Sequence, residues 1–198
     1  MAIVVEHDKR KREILENALD IFVEEGYEDA TFQKIADRCG ITRTTLYIYF
    51  KNKREIFLWS IKQLTQTLED ELFAVIRNNS LSEPVKLITV LNTIIDKCVE
   101  NRRLFSVVLL YLLQLQKQNL NPGQRVRRRI IRLRHLLSKI IIAGINKGTL
   151  ERIDVKAAND MFYALIESAI FRLAILDKED IDESKDSIRL AVEGITTK

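Results

Sequence analysis

Residues 31–53 read TFQKIADRCG-ITRTTLYIYFKNK, and this stretch decides how the rest of the chain is interpreted. Apolar residues at helical spacing lead into Gly40, and a second short segment after Thr42 continues that spacing through Leu46 and Phe50. Two short helices joined by a glycine turn are typical of the helix-turn-helix, whose second helix enters the major groove of DNA. The stretch therefore predicts a DNA-binding head.

The composition describes a folded, helical protein and excludes several other classes. Of 198 residues, 46% are hydrophobic and 30% are charged, and only two prolines and six glycines interrupt the helical patterns. No apolar run reaches the length needed to cross a membrane, and Cys39 and Cys98 lack the spacing of a metal site. We expect a cytoplasmic protein with no membrane contact, no metal and no cofactor.

Apolar periodicity and helix-capping residues predict an all-α fold of nine helices. The first helix is expected over about 9–25 with Gly26 as its stop, and Thr31 and Thr42 are expected to cap the next two. A larger helical bundle of about six helices begins at Lys53, which places the domain boundary between residues 52 and 53. Its helices are expected over about 53–77, 82–100, 103–118, 124–146, 154–176 and 183–195.

Charge is strongly segregated along the chain, although its net value is only +4. Residues 31–54 carry six basic side chains and a single acid, Asp37, which fits a surface that meets the DNA backbone. Residues 101–150 carry eleven Lys and Arg and no acid, whereas residues 151–198 hold eleven acids against seven bases. The arginine-rich stretch is either a solvated face paired with acids elsewhere or a site for an anionic effector such as a carboxylate or acyl thioester. One face of its helix is expected to carry Arg125, Arg128, Arg129, Arg132 and His135.

The helix-turn-helix residues closely resemble the N-terminal signature of the tetracycline-repressor (TetR) family over about residues 10–57. That resemblance implies a DNA-binding domain at 1–52 and an effector-binding and dimerisation domain at 53–198. Separately, the sequence has two histidines far apart and no catalytic constellation, phosphate-binding glycine loop or metal spacing, so we expect no enzyme. Cys39, Thr44 and Ile48 depart from the usual family residues, which affects the expected operator sequence. The residues that carry the resemblance are Thr31, Ile35-Ala36, Gly40-Ile41-Thr42, Thr45-Leu46-Tyr47, Tyr49-Phe50, Lys53 and Ile56-Phe57.

The candidate DNA contacts divide into base readout and phosphate positioning. Arg43 is the candidate for reading guanine through two hydrogen bonds, with a phosphate contact as the alternative, and Thr44 is a candidate for a thymine methyl group. Lys53 stands at the start of the long fourth helix, where the matching lysine of the family binds a phosphate; a solvated helix start is the alternative. The run at 9–12 either flanks the duplex or is solvated. The full set is Thr31, Gln33, Lys34, Thr42, Arg43, Thr44, Thr45, Tyr47, Tyr49 and Lys53.

One head alone offers little readout, so we expect a homodimer whose two heads meet a near-palindromic site in double-stranded DNA. The apolar residues of the segment 154–176 cover more than one helical face, which favours a dimer seam with 183–195 over a monomer core helix. The family places its effector pocket within the bundle, although side chains such as these are more often plain core. Those candidates are Trp59, Phe105, Leu109, Leu113, His135, Leu136, Phe162 and Glu167.

These observations predict a sequence-specific transcriptional regulator, most simply a repressor that a small molecule releases from its operator. The alternative is a DNA-organising factor of the same fold that acts through a protein partner without a small ligand. The arginine-rich stretch keeps this alternative open.

Overall fold

In a computed structural model the chain is all-helical, and the structure describes residues 2–118, 123–174 and 181–197. Side chains are described for the same residues except 2–5, 64 and 123–130. Nine helices account for most of this described part, as the sequence predicts, and its β-pairing is limited to an isolated bridge between Leu150 and Thr196. The helices are α1 Ala2–Asp29, α2 Phe32–Arg38, α3 Arg43–Tyr49, α4 Lys53–Arg77, α5 Glu83–Glu100, α6 Arg102–Lys117, α7 Gly123–Lys147, α8 Val155–Ala174 and α9 Asp182–Glu193.

The first helix differs from the prediction at its start and agrees with it at Gly26. It begins at Ala2 instead of near Lys9, because the early residues contain no helix breaker. Residues 6–9 are exposed, so a search for a buried apolar face does not detect them. Gly26 has φ 83°, a left-handed conformation that favours glycine, and it interrupts the helical backbone. One further turn beyond Gly26 carries the helix to Asp29.

The chain divides into two compact units, residues 1–67 and 68–198, and the division falls inside α4. The first unit extends beyond the predicted boundary at 52 because the opening turns of α4 pack on α1. Phe57 meets Phe22 edge-on with ring centroids 4.9 Å apart, and the buried Ser60 hydroxyl donates to the Leu15 carbonyl at 3.0 Å. The assignment of separate functions to 1–52 and 53–198 stays a prediction.

The core of the first unit joins α1, α2, α3 and the start of α4. Its fully buried side chains come from every one of these helices, so the short helices α2 and α3 are held by tertiary packing and not by their own length. The core includes Ile14, Ala18, Phe22, Ile35, Leu46, Phe50, Ile56 and Phe57.

The second unit is a bundle in which α5 packs against α7, α8 and α9. Its core is mainly aliphatic and includes Phe162, which is completely buried. Gly144 of α7 packs closely against the chain that follows this helix. A Cβ at this position would come within 2.5 Å of the Leu150 side chain, so there is no room for a larger residue. No helix in the described part of the chain is long and apolar enough to span a membrane.

Candidate nucleic-acid interface

The turn between α2 and α3 is built from two threonine caps and one glycine. The Thr31 hydroxyl accepts from the backbone N–H of Lys34 at 3.2 Å, and the Thr42 hydroxyl accepts from that of Thr45 at 3.1 Å. Each threonine therefore satisfies a backbone donor that the first turn of its helix leaves open, which confirms both predicted caps. Gly40 adopts φ 63°, the left-handed conformation that lets the chain turn between the helices.

The recognition helix α3 has one buried face and one open face. Leu46 and Phe50 are at most 1% exposed and anchor the helix in the core of the head. Arg43 and Thr44 are exposed on the other side, together with Tyr47, and the Arg43 guanidinium donates to the Tyr47 hydroxyl at 3.2 Å. The helix thus presents a guanidinium, a hydroxyl and a phenol to solvent, a set able to contact both base edges and phosphates.

Ile48 is a surface residue of α3 that the sequence analysis treated only as a departure from the family pattern. Its side chain is 70% exposed, which is unusual for isoleucine on a helix whose other face is fully buried. Its helical position, two residues after Leu46, already indicated the open face. An exposed apolar side chain there suits contact with a thymine methyl group in the major groove.

Part of the basic charge in residues 31–54 is neutralised by acids of α1. The Arg38 guanidinium pairs with Glu24 at 2.6 Å, and the Lys34 ammonium pairs with Glu25 at 2.7 Å. The hydrogen bond from Arg38 lowers the pKa of the Glu24 carboxyl, and the same bond raises the pKa of Arg38. The local excess of positive charge is therefore smaller than a count along the sequence suggests.

Unlike Lys34 and Arg38, Arg43 has no carboxylate partner within the part of the chain that the structure describes. It lies at the first position of α3, the end of a recognition helix that contacts base edges. An exposed guanidinium without a competing carboxylate keeps its donors available for guanine or phosphate.

Lys53 is fixed by contacts that the sequence did not reveal. Its ammonium donates to the carbonyls of Tyr27 at 2.7 Å and Glu28 at 3.0 Å, and it lies 4.6 Å from the centroid of the Tyr27 ring. Lys53 therefore joins the start of α4 to the last turn of α1, and one of its three donors remains for a phosphate. Glu55, two residues later, accepts at 2.7 Å from the backbone N–H of Lys51 and helps to cap α4.

The other predicted DNA contacts lie in the same unit and differ in how exposed their side chains are. Thr31, Gln33 and Thr42 are exposed, and the Gln33 amide donates to Asp37 at 2.8 Å. Thr45 and Tyr49 are half-buried, which leaves their hydroxyl groups as the parts suited to phosphate contact. The structure brings all ten predicted DNA-contact residues into one compact unit, and their role in DNA binding stays a prediction.

The basic run at 9–12 separates into two pairs. Arg10 donates to the Cys39 carbonyl at 3.0 Å and also pairs with Glu13, while the Lys11 ammonium lies 4.5 Å from the Trp59 ring. These two side chains hold α1 against the helix-turn-helix and the start of α4. Lys9 and Arg12 are exposed and stay candidates for flanking contacts.

The predicted effector-pocket residues differ widely in burial. Phe162 and Leu136 belong to the core of the second unit, and Phe105 packs against that core. Leu113, His135 and Glu167 are exposed and Leu109 is half-buried, whereas Trp59 lies in the first unit beneath two lysine ammonium groups. The pocket assignment stays a prediction, and the core interpretation describes Phe162 and Leu136 well.

Three of the described basic side chains in residues 101–150 form ion pairs with acids. For these three, the ion pairs favour the interpretation as a solvated face over that as an effector site. Arg132 pairs with Glu69 at 3.2 Å, Arg134 pairs with Asp160, and Lys147 pairs with Glu83 at 2.6 Å. Two of these three acids come from α4 and α5, and the third lies within residues 151–198. The side chains of Arg125, Arg127, Arg128 and Arg129 lie outside the described residues.

Asn159 is a buried polar residue of α8 that the sequence analysis missed. It is 4% exposed, and its amide donates to the Arg134 carbonyl at 2.6 Å and to the Ser138 hydroxyl at 2.7 Å. Its Oδ1 is buried and has no hydrogen-bond partner among the residues that the structure describes. Such an acceptor is costly unless something supplies a donor. A lone asparagine at a core position of an apolar helix was the available signal.

Comparison with known proteins agrees with this architecture. Residues 14–58 match the family model described as "Bacterial regulatory proteins, tetR family". The Fatty acid metabolism regulator protein of Bacillus subtilis (strain 168) is 26% identical over 197 residues, which cover 96% of this chain and 100% of that protein.

Two solved structures extend the likeness to the whole fold. A TetR transcription regulator from Haloarcula marismortui ATCC 43049 superposes with a TM-score of 0.84 at 21% identity, covering 96% of this chain and 100% of that one. The regulator FadR from Bacillus subtilis, in complex with stearoyl-CoA, has a TM-score of 0.70 at 25% identity and covers 93% and 98%.

The helix-turn-helix head, the all-helical second unit and these relatives define a DNA-binding transcriptional regulator. Residues 14–58 match the DNA-binding segment of the tetR family of bacterial regulatory proteins, and the relatives that span nearly the whole chain support a regulator of this family. Its relatives in the comparison are regulators of transcription, not enzymes. Among the described residues, no three His, Cys, Asp or Glu side chains come together as ligands for a metal ion.

Proposed function

We propose that this regulator is a homodimeric repressor that binds a near-palindromic operator and is released by a long-chain acyl thioester. The observation that carries the DNA-binding part is the open face of α3, where Arg43 is exposed and lacks a carboxylate partner among the described residues. Thr42, Tyr47, Tyr49 and Lys53 supply candidate phosphate contacts that set the register without reading sequence.

Dimerisation is supported by an unpartnered apolar stripe on α8. Exposed residues on this helix recur at intervals of four and three, which places them on one face. Phe171 is 54% exposed and Met161 is 39% exposed, although neighbouring positions of the same helix are fully buried. Such a face matches a second copy of itself across a two-fold axis. The stripe consists of Ala157, Met161, Ala164, Ser168 and Phe171.

The last helix adds to this face on the same unit. Leu190 of α9 is 72% exposed, whereas Ile188 and Val192 on its other side are completely buried. Helices α8 and α9 pack against each other, so two copies bring four helices together at the seam. A two-fold dimer then presents two recognition helices to major grooves about 34–36 Å apart.

The class of effector is suggested by relatives and by charge. The solved structure of a similar regulator is a complex with stearoyl-CoA, and the relatives include a fatty acid metabolism regulator. An acyl thioester of coenzyme A combines a long apolar chain with an anionic head, and the stretch at 101–150 contains no acid that would repel that head. The buried Oδ1 of Asn159 receives no hydrogen bond from the described part of the chain, and an amide or hydroxyl group of such an effector is able to supply one.

The coupling between effector and operator is proposed to run through α4. This helix is continuous over Lys53–Arg77 and contributes residues to both compact units. An effector that binds the released form better shifts the population toward that form. A coupling free energy of about 1–3 kcal/mol corresponds to a 5- to 150-fold change in operator affinity.

The alternative of a DNA-organising factor with a protein partner has lost part of its support. It depended on an uncompensated basic surface in residues 101–150, and Arg132, Arg134 and Lys147 of that stretch are paired with acids. Its test is included in the experiment below.

The experiment titrates stearoyl-CoA into the complex of the purified dimer with a DNA fragment recovered by binding selection. Stearate alone and coenzyme A alone are the matched controls, since each lacks one half of the proposed recognition. The proposal expects the thioester to weaken operator binding about 5- to 150-fold, with smaller effects from either half. If none of the three compounds changes the affinity, the effector assignment is wrong and the protein-partner alternative gains support.

A further inference from the structure

The N-terminal turns of α1 lie beside the recognition helix. His7 is exposed, and its ring stacks on the ring of Tyr49 with centroids 4.7 Å apart and planes 26° from parallel. Tyr49 is the last residue of α3. The early start of α1 therefore brings a histidine next to a helix assigned to DNA.

Two further contacts fix this placement independently of the stacking. Three residues after His7, the Arg10 guanidinium donates to the carbonyl of Cys39 in the turn between α2 and α3, at 3.0 Å. The Lys11 ammonium lies 5.3 Å from the ring of Phe50, the residue that follows Tyr49. Because three successive contacts hold α1 along the helix-turn-helix, His7 has a defined position relative to α3.

We propose that His7 is a DNA contact and that its protonated imidazole binds a backbone phosphate next to the one contacted by Tyr49. The inference rests on the proposed DNA-binding function of the head. An imidazolium donates from both ring nitrogens, and hydrogen bonds from a charged donor to a phosphate are strong. Tyr49 covers one face of the ring, which leaves the edge with its N–H groups open to the duplex.

The charged surroundings of His7 decide how its protonation affects DNA binding. Successive side chains on a helix point about 100° apart, so the acids on either side of His7 flank it without sharing its direction. A phosphate stabilises the imidazolium form and therefore binds it in preference to the neutral ring. The titratable groups beside His7 are the phenol of Tyr49, which stacks on the ring from α3, and the residues near it along α1, namely Glu6, Asp8, Arg10 and Lys11.

This contact makes DNA affinity depend on pH in a range where few side chains titrate. Histidine changes charge between about pH 5 and 8, so DNA binding gains affinity as pH falls through that range and loses it as pH rises. The chain contains only two histidines, His7 and His135, and the second is exposed on α7 in the other compact unit. His135 therefore provides a matched control for any general effect of pH.

The test measures the slope of log affinity against log salt concentration at about pH 6 and about pH 8, where a histidine is largely charged and largely neutral. A mixed-sequence duplex is the probe, because phosphate contacts do not depend on sequence. The proteins are the full chain, His7→Gln, His7→Lys and His135→Gln. His7 is exposed, so the substitutions at this position leave the core unchanged, and a thermal melt verifies folding.

The inference expects the slope of the unmodified protein at the lower pH to exceed that of His7→Gln by about one per head, or about two per dimer. At the higher pH the two slopes converge, His7→Lys keeps the steeper slope at both values, and His135→Gln follows the unmodified protein. Equal slopes for the unmodified protein and His7→Gln at the lower pH would overturn the inference alone. Failure of the unmodified protein to bind any DNA would overturn the proposed function as well.

Discussion

Replacing Phe171 by alanine tests whether the apolar stripe of α8 is the dimer seam. This side chain is 54% exposed in the single chain, so the substitution removes surface that only a partner would cover. An aromatic side chain carries about 200 Å², so about 110 Å² of Phe171 is available for burial. At about 25 cal/mol per Å² this area is worth about 3 kcal/mol in each protomer.

The expected loss follows from the two-fold symmetry of the seam. Alanine retains about a quarter of the area, so the loss is about 2 kcal/mol per protomer and about 4 kcal/mol per dimer. That loss corresponds to a dissociation constant about a thousand-fold higher. Sedimentation velocity over a dilution series measures the constant directly, and circular dichroism shows whether the variant stays helical.

Leu110→Ala is the matched control, because Leu110 is 66% exposed on α6 and lies outside the stripe. The account expects this control to dimerise like the unmodified protein. If Phe171→Ala also dimerises within about three-fold of the unmodified protein, less than 1 kcal/mol separates them and the stripe is not the seam. An equal weakening by both substitutions would show that the effect is not specific to α8.

Three more predictions concern the head and the bundle. Arg43→Ala is expected to cost about 1–3 kcal/mol of DNA-binding free energy and to reduce the base preference at one operator position, as competition between operator variants would measure. An equal loss of affinity on all sequences would show that Arg43 contacts only a phosphate. Lys53→Ala is expected to lower the thermal midpoint, since the Lys53 ammonium binds two carbonyls of α1, and to reduce the slope of log affinity against log salt by about one per head. Loss of stability with an unchanged slope would leave Lys53 only its structural role. Burial raises the pKa of the Glu83 carboxyl, but the hydrogen bond from Lys147 and the nearby ammonium charges outweigh this effect, so the pKa in the folded protein lies below 4.5. The carboxylate therefore contributes stability above pH 4.5, and this contribution is lost as the pH falls through the folded pKa. Lys147→Met should therefore destabilise the protein near neutral pH and make less difference in acid, as urea unfolding at both pH values would show; a difference that grows toward acid would contradict this sign.

The features that the sequence predicted well depend on neighbouring residues. Thr31 and Thr42 cap their helices through donors three residues away, and Gly26 and Gly40 adopt the left-handed conformations that stop or turn the chain. Helix count and the buried residues Leu46 and Phe50 follow from spacing alone. Local chemistry determines each of these features, so one sequence is enough to find them.

The features that it missed depend on residues far apart along the chain. Arg38 is neutralised by Glu24, fourteen positions away, and Lys53 is held by carbonyls of α1. The amide of Asn159 finds its acceptors on α7. Such pairs arise only when helices pack, and the sequence offers several acids or carbonyls as equally good partners for each base. The candidate DNA surface was therefore predictable as a set of residues, whereas its charge balance was not.

We infer that this chain is a dimeric regulator that reads a specific DNA sequence. The most direct measurement is a binding selection from a random DNA library with the unmodified protein and with Arg43→Ala, followed by sequencing of the retained fragments. The account predicts that the unmodified protein recovers a near-palindrome whose half-sites lie about one helical turn apart, and that Arg43→Ala loses preference at one position in each half. Recovery of diffuse sequences, identical for the two proteins, would contradict the claim.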